Sequence, residues 1–67
     1  MTMEDVLRDI RTNPTVKPWP HIGIALGISR GSVYGLIDRG EIETIRVGRT
    51  IRVISAPLRR RLGIEAA

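Results

Sequence analysis

The arginine side chains are the residues of this chain with the clearest chemistry. Ten of its 67 residues are arginine and one is lysine, against seven acidic residues. A guanidinium binds a phosphate group through two parallel hydrogen bonds, so a cluster of arginines suits a nucleic-acid backbone. The cluster is one-sided, because residues 29–62 hold eight arginines and three acids whereas residues 1–28 hold three of each charge. We therefore expect one half of the molecule to present a basic face to double-stranded DNA.

Seven polar side chains are predicted to contact DNA. They are Arg30, Ser32, Tyr34, Arg39, Arg46, Arg49 and Arg52. Arg49 lies at the tip of a predicted hairpin, from which it would enter a minor groove or follow its phosphates. Tyr34 would either donate a hydrogen bond to a phosphate or pack beside the hairpin. The arginines at 59–61 would either clamp phosphates or form a solvated helix face, and solvation is favoured.

The sequence offers no constellation for catalysis. It has no cysteine, its carboxylates are not paired for acid–base work, and no glycine-rich loop could cradle a nucleotide phosphate. His21 is the only histidine and has no partner at metal-ligand spacing, so we expect a surface or capping residue there. Tyr34 lacks the surrounding activating residues that a catalytic tyrosine needs. We expect no enzyme activity, no bound metal and no cofactor.

An N-terminal amphipathic helix is predicted over residues 1–13. Thr2 and Asp5 have the spacing of a capping box, and Asn13-Pro14 would end the helix. Four apolar residues recur at helical spacing along one face: Met3, Val6, Leu7 and Ile10. This stripe would either dock on the chain's own core, which so small a domain favours, or pack on a second copy or another protein.

A proline-rich connector is predicted over residues 14–19, where it would pin Trp19 onto the core. The DNA-binding unit would follow at 20–62, beginning with a short helix over about 20–26. Gly23 within that helix invites close backbone approach.

The strongest local pattern is a pair of helices joined by a tight turn. Gly27 is the expected left-handed terminator of the first helix, and Ser29 is the expected N-cap of the second. The second helix would end at Gly40. Its outward positions include Gly31 and Gly35, so few of its side chains would reach base edges, and DNA shape would supply much of the discrimination.

Alternating apolar and polar residues predict a β-hairpin after that helix. The apolar residues of both strands fall at odd positions, so a three-residue loop, Gly48-Arg49-Thr50, would bring them onto one face. The expected cross-strand pairs are Val47 with Ile51, Ile45 with Val53 and Arg46 with Arg52. Two facing arginines repel each other, so we expect an anion between them.

The chain is predicted to close with a short basic helix capped by Ser55, followed by a tail at 63–67. No apolar run is long enough to span a membrane, and the acidic N-terminus lacks the basic start of a signal peptide. We therefore expect a cytoplasmic protein with no membrane partner.

Five short motifs occur together between residues 19 and 62. They are Leu26-Gly27-Ile28-Ser29, Val33-Tyr34, Leu36-Ile37, Gly40-Glu41-Ile42 and Val47-Gly48-Arg49. In combination they resemble the small excisionase-type members of the MerR-like winged helix-turn-helix superfamily. The resemblance implies a mainly α fold with a small β-hairpin, here with an extra N-terminal helix.

The same resemblance implies the function of a phage recombination directionality factor. Such a protein binds beside an attachment site, often cooperatively with other copies of itself, bends the DNA and directs the phage integrase toward excision. The integrase then becomes a second candidate partner for the stripe on the N-terminal helix. The arginine-rich composition would suit a phage of a high-GC host such as an actinobacterium.

Two other functions fit the sequence less well. A small transcriptional regulator of a phage or plasmid operon could use the same fold, although the chain shows neither an effector domain nor a long dimerisation helix. A protein-interaction adaptor could use its arginines on an acidic partner, but an adaptor would not need a basic hairpin beside a helix.

Overall fold

The computed structural model describes residues 1–64, which form four helices and one three-stranded antiparallel sheet. The elements in chain order are α1 Met3–Thr12, β1 Thr15–Val16, α2 Gly23–Leu26, α3 Arg30–Asp38, β2 Thr44–Val47, β3 Thr50–Ile54 and α4 Ser55–Leu62. A kinked π-helical segment, Pro18–Ile22, leads directly into α2. The architecture is mixed α/β rather than mainly α, because the predicted hairpin belongs to a larger sheet. Of the predicted tail, residues 65–67 lie outside the described residues.

Helix α1 begins at the predicted capping box, which is confirmed. The Thr2 hydroxyl accepts a hydrogen bond from the Asp5 backbone N–H at 3.2 Å, and the Asp5 carboxylate accepts one from the Thr2 backbone N–H at 3.2 Å. That backbone N–H, then the Thr2 hydroxyl and the Arg8 guanidinium, hold the pKa of Asp5 below its ordinary value of 3.8. The ionised carboxylate therefore stabilises the start of the helix.

The apolar stripe of α1 divides between the core and the surface. Val6 and Ile10 have no exposed area and pack into the core, so α1 docks on its own chain. Met3 is 45% exposed and Leu7 is half-buried. A partner protein could therefore contact Met3 and Leu7, but not the other two residues of the stripe.

The predicted connector at 14–19 contains a strand that the sequence did not reveal. Thr15 pairs with Ile54 and Val16 with Val53, which makes β3 the central strand in the order β1–β3–β2. Val16 is only 2% exposed and joins the core. Two paired residues are too few to produce a readable alternation, so this strand forms because its partner is already in place.

Trp19 lies over α2 with part of its ring in solvent. Its backbone is extended, and 36% of the residue is exposed. The six-membered ring rests on Gly23, in the space that a Cβ atom would otherwise occupy. The Gly23 backbone is approached closely, by a side-chain ring rather than by another stretch of backbone, and the exposed position of Trp19 differs from its predicted pinning onto the core.

His21 is buried, which corrects the expectation of a surface or capping histidine. It is 8% exposed, and its Nε2 atom lies 2.9 Å from Oδ2 of Asp9 on α1. The pair joins α1 to the segment that precedes α2. The two residues are separated by twelve positions and lie on different elements, so no local sequence pattern predicts the contact.

The turn between α2 and α3 matches the prediction. Gly27 ends α2 in the left-handed region with φ of 68°, and the Ser29 hydroxyl caps α3 by accepting a hydrogen bond from the Ser32 backbone N–H at 3.2 Å. Gly40 follows α3 with φ of 73°. These ends depend on residues within one turn of each other, which is why the sequence predicts them correctly.

The hairpin has a different register from the predicted one. Its loop holds two residues, Gly48 and Arg49, across which Val47 pairs with Thr50. The other pairs are Arg46 with Ile51, Ile45 with Arg52 and Thr44 with Val53. Gly48 has φ of 62° while Arg49 has a negative φ, the sign pattern of the type II′ turn that joins two-residue hairpins.

The alternation in β2 was misleading because β2 is an edge strand. Ile45 and Val47 are 47% and 62% exposed, so their burial does not set the register. A shift of one residue moves every side chain of a strand to the opposite face. Arg46 and Arg52 consequently lie on opposite faces of the sheet, so the prediction of an anion between them is wrong.

Helix α4 begins at Ser55, so the predicted cap is wrong. Ile54 occupies the N-cap position, and the Ser55 backbone N–H donates to the Pro14 carbonyl at 2.9 Å. Ser55 is fully buried, and its hydroxyl has no hydrogen-bond partner among the described residues. Leu58 is 6% exposed and faces inward as predicted.

The core is aliphatic and draws on both helices and strands. Its buried members are Val6, Ile10, Val16, Ile22, Val33, Val53 and Leu58. The core therefore ties α1, α3 and α4 to the sheet and fixes where α3 lies relative to the hairpin. None of the helices in residues 1–64 is long and apolar enough to cross a membrane.

Candidate nucleic-acid interface

An open groove of about 380 Å³ lies between α3 and the hairpin. Its polar lining comes from the segment before α2, from α3 and from the hairpin: Lys17, Trp19, Tyr34, Arg49, Thr50 and Arg52. Pro18 and Ile51 complete the lining. Residues that are up to 35 positions apart meet here, so the groove exists only in the folded chain.

Three cations line this groove. Lys17 and Arg49 are exposed, and Arg52 is half-buried. Within the described part of the chain, no aspartate or glutamate belongs to the lining, so the positive charge is not neutralised inside the groove. A concave surface with one sign of charge concentrates the electrostatic potential and attracts anions such as phosphates.

Arg52 is held in place by β1. Its Nε atom donates to the Thr15 hydroxyl at 3.2 Å, and its Nη2 atom donates to the Thr15 backbone carbonyl at 3.3 Å. A guanidinium has five N–H donors, so these two bonds leave others for a ligand. Because the side chain is already ordered, less conformational entropy would be lost if it bound a phosphate.

Both aromatic side chains of the protein lie in the same groove. The sequence has one tryptophan, one tyrosine and no phenylalanine, and Trp19 and Tyr34 both line this surface. Tyr34 is half-buried on α3 and shares the groove with Arg49 and Arg52. Rings that are apolar in the middle and polar at one end suit a ligand with both apolar and charged parts.

Two other predicted contact residues, Arg30 and Ser32, lie in the first turn of α3 and outside the groove. Both are exposed. The Ser32 hydroxyl accepts a hydrogen bond from the Ser29 hydroxyl at 3.0 Å, so part of its bonding capacity already serves the helix cap. Arg30 is therefore the better candidate for a phosphate contact at this end of α3.

Arg39, at the other end of α3, is already paired. Its Nε atom lies 2.6 Å from the Glu41 carboxylate, and its Nη1 atom would be 3.3 Å from a Cβ at Gly35. The guanidinium thus covers the helix beside Gly35 and is partly neutralised. Both members of the pair are more than half exposed, so the pair itself adds little stability.

Arg46 is exposed on β2, and the hairpin register places it on the face opposite Arg52. The groove therefore receives Arg49 from the hairpin loop and Arg52 from β3, but does not include Arg46 in its lining. Of the seven predicted contact residues, the structure brings three together, namely Tyr34, Arg49 and Arg52.

Two arginines of α4 donate hydrogen bonds to backbone carbonyls elsewhere in the chain. Arg59 donates to the Ile10 carbonyl at 3.0 Å, and Arg61 donates to the Glu41 carbonyl at 2.8 Å. The Ile10 carbonyl needs this donor, because the residue four positions later is Pro14, which has no N–H. Arg59 is half-buried, so the prediction of a mostly exposed arginine is wrong at this position and correct for Arg60 and Arg61.

Sequence reasoning missed Lys17 and Trp19 as members of the candidate site. The sequence predicts a connector at these positions and does not predict β1. The pairing of β1 with β3 is what brings the residues after β1 to the hairpin. The sequence does contain a feature that indicates this site, since the only lysine and the only tryptophan are two positions apart. A cation beside an aromatic ring is a common arrangement in nucleic-acid grooves.

In residues 1–64, no three histidine, aspartate or glutamate side chains come together in a group that could hold a metal ion. Comparisons with protein-family models, curated proteins and solved structures find no match to this chain. Its function is therefore inferred from the geometry and the charge of the groove.

Proposed function

We propose that this chain is a DNA-binding protein of the winged helix-turn-helix type. In this assignment α2 and α3 form the helix-turn-helix, α3 is the helix that enters the major groove, and the β2–β3 hairpin is the wing. The observation that carries the proposal is the groove between α3 and the hairpin, which is lined by three cations, two aromatic rings and, among residues 1–64, no acid.

Double-stranded DNA is the polyanion that this arrangement fits best. A helix and a hairpin on the two sides of one basic groove can contact a major groove and the neighbouring backbone together. Arg30, exposed at the start of α3, is a further cation outside the groove, whereas Arg46 lies on the face of the sheet opposite Arg52. The phosphate contacts would supply most of the affinity and make it depend on salt.

Sequence discrimination by α3 is expected to be modest. A Cβ at Gly31 would meet open space, so that position presents backbone where another residue would present a side chain. Gly35 is covered by the paired Arg39 side chain. With few side chains available to read base edges, the protein would depend on DNA shape and bending.

The biological role we propose is that of an excisionase. The motifs that resemble the excisionase-type family fall on α2 and the turn after it, on α3 and the loop that follows it, and on the hairpin. Two of their residues, Tyr34 and Arg49, line the groove. On this proposal the protein acts without catalysing a reaction: it bends DNA beside a phage attachment site in the bacterial cytoplasm and directs the integrase toward excision. The exposed side of α1, with Met3 and Leu7, is then the surface available for the integrase or for a neighbouring copy.

Footprinting of the purified protein across the genome that encodes it tests this proposal. Protection of tandem sites beside an integrase attachment region is the expected result. Protection confined to promoters would replace the excisionase with a transcriptional regulator, and no protection anywhere would favour a protein-interaction adaptor.

The footprint also needs a matched pair of variants. The double variant Lys17→Ala/Arg49→Ala removes two exposed groove cations and should abolish protection at moderate salt. The double variant Arg8→Ala/Arg11→Ala removes the same charge from exposed positions on α1 and should preserve it. Equal losses in both would show that total charge, rather than the groove, governs binding.

A further inference from the structure

We propose that the groove between α3 and the hairpin holds an unpaired DNA nucleotide, with its base against Trp19 and its phosphate on the groove cations. This inference rests on the proposed function, because it uses the same face of the protein. It adds a ligand class, since a winged helix-turn-helix needs only an intact duplex.

The position of Trp19 is the first observation behind this inference. The ring is held against α2 by Gly23, where any side chain would overlap it, and yet 36% of the residue remains exposed. Gly23 is the first residue of α2, and its lack of a side chain leaves the space that the ring occupies. An aromatic side chain that is fixed and exposed at once is suited to contact a flat ligand without a large loss of entropy.

The second observation is what surrounds that ring. Every polar side chain of the groove lining can donate a hydrogen bond, and Lys17 and Arg52 lie in the same lining as Trp19. Tyr34 supplies a second ring from α3. Stacking rings combined with a positively charged groove form the usual site for single-stranded nucleic acid.

An intact duplex can contact the cations of this groove but cannot stack its bases on the aromatic rings. Its base faces are stacked on one another, so only base edges, sugars and phosphates are accessible to a protein surface. A nucleotide that is unstacked or unpaired exposes the face of its base, and stacking on an aromatic side chain then becomes possible. The groove therefore fits a strand opened at a bent or disrupted base step better than it fits a regular helix.

The test uses the full chain and its single tryptophan, so that fluorescence excited at wavelengths beyond the absorption of Tyr34 reports on Trp19 alone. The protein is titrated at fixed salt with a ten-nucleotide oligo-dT strand, with the matching dA·dT duplex, and with a ten-nucleotide oligo-U strand. We expect oligo-dT to quench the emission strongly and the intact duplex to bind with little quenching. Tighter binding of oligo-U than of oligo-dT would overturn the assignment to DNA.

Substitution of the ring gives a second measurement. Trp19→Leu should weaken binding of labelled oligo-dT by roughly 5- to 100-fold, as expected for the loss of one stacked base, and should change duplex binding by less than about 3-fold. Trp19→Phe should restore most of the affinity for the single strand. Met3→Ala, at an exposed apolar residue of α1, is the matched control and should change neither.

The two proposals fail in different ways. Duplex binding without any oligo-dT binding or quenching would overturn the nucleotide site and leave the winged helix-turn-helix assignment intact. If the wild-type protein binds neither oligo-dT nor the duplex, both proposals are overturned. If Trp19→Leu does not fold, as judged by circular dichroism, the quenching experiment on the wild-type protein decides the question.

Discussion

Replacement of Arg49 by alanine tests the groove most directly. Arg49 is an exposed residue of the hairpin loop, so its removal changes the charge of the groove without disturbing the core. Each neutralised phosphate contributes about −0.9 to the slope of log affinity against log salt. If the three groove cations together with Arg30 make about four contacts, the slope should be roughly −3.6 for the wild type and roughly −2.7 for Arg49→Ala.

The same relation gives the size of the loss in affinity. A contact with a slope of 0.9 that contributes nothing at 1 M salt is worth about 5-fold at 0.15 M and about 15-fold at 0.05 M. Fluorescence anisotropy of labelled duplexes over a series of salt concentrations measures both the slope and the loss. Arg49→Ala should weaken all duplex sequences by a similar factor, because phosphate contacts carry no sequence information.

Arg11→Ala is the matched control for this experiment. It removes one positive charge from an exposed position on α1, outside the groove, and should change the slope little. Equal effects of Arg11→Ala and Arg49→Ala would refute the assignment of the groove. A nearly flat salt response of the wild type would refute DNA binding itself, and a changed preference at a single base pair would refute a backbone contact by Arg49.

Four further predictions concern stability and local structure. Ser29→Ala should lower the free energy of unfolding by about 1 kcal/mol through loss of the α3 cap; an unchanged urea midpoint would contradict it. Ile10→Ala should lower it by about 2–5 kcal/mol, because Ile10 has no exposed area; a loss below about 1 kcal/mol would show that α1 is not packed on the core. Asp5→Asn should lower the melting temperature at pH 7 but much less at pH 2. The pKa of Asp5 is lowered in the folded state, so its contribution is present above the unfolded value near 3.8 and is lost as the pH falls through the folded value; equal effects at both pH values would argue against the capping box. Gly23→Ala should displace Trp19 and shift its emission to longer wavelength, and an unchanged spectrum would mean that the ring does not rest on the glycine.

The features that the sequence predicts correctly depend on neighbours within one helical turn. The capping box at Thr2 and the cap at Ser29 each require two residues three positions apart, and both are present at the predicted places. Gly27 ends its helix for an equally local reason, since the left-handed conformation is open to glycine at little cost. The inward positions of Val33 and Leu58 follow from helical spacing alone.

The features that the sequence does not predict depend on partners far along the chain. Strand β1 has two residues and forms only because β3 offers a free edge beside it. Because of that pairing, β3 is the central strand of a sheet and β2 is an edge strand. The apolar residues of β2 are exposed there, so their burial does not require them to face those of β3. The contact of His21 with Asp9 and the burial of Ser55 likewise arise from the docking of helices, which no pattern in a single segment encodes.

The arginines show why a charge count does not locate a binding face. Arg52, Arg59 and Arg61 donate to backbone carbonyls, and Arg39 lies against the Glu41 carboxylate, so four of the eight arginines in residues 29–62 already have partners within the chain. The excess of positive charge in that half is unchanged by these contacts, but the number of free guanidinium donors is smaller than the sequence suggests. What identifies the candidate interface is a groove whose lining, in the part of the chain that the structure describes, has cations and no acid. A salt slope nearer −3.6 than the roughly −7 expected if all eight arginines bound phosphate would therefore show that only some of the arginines are available to DNA.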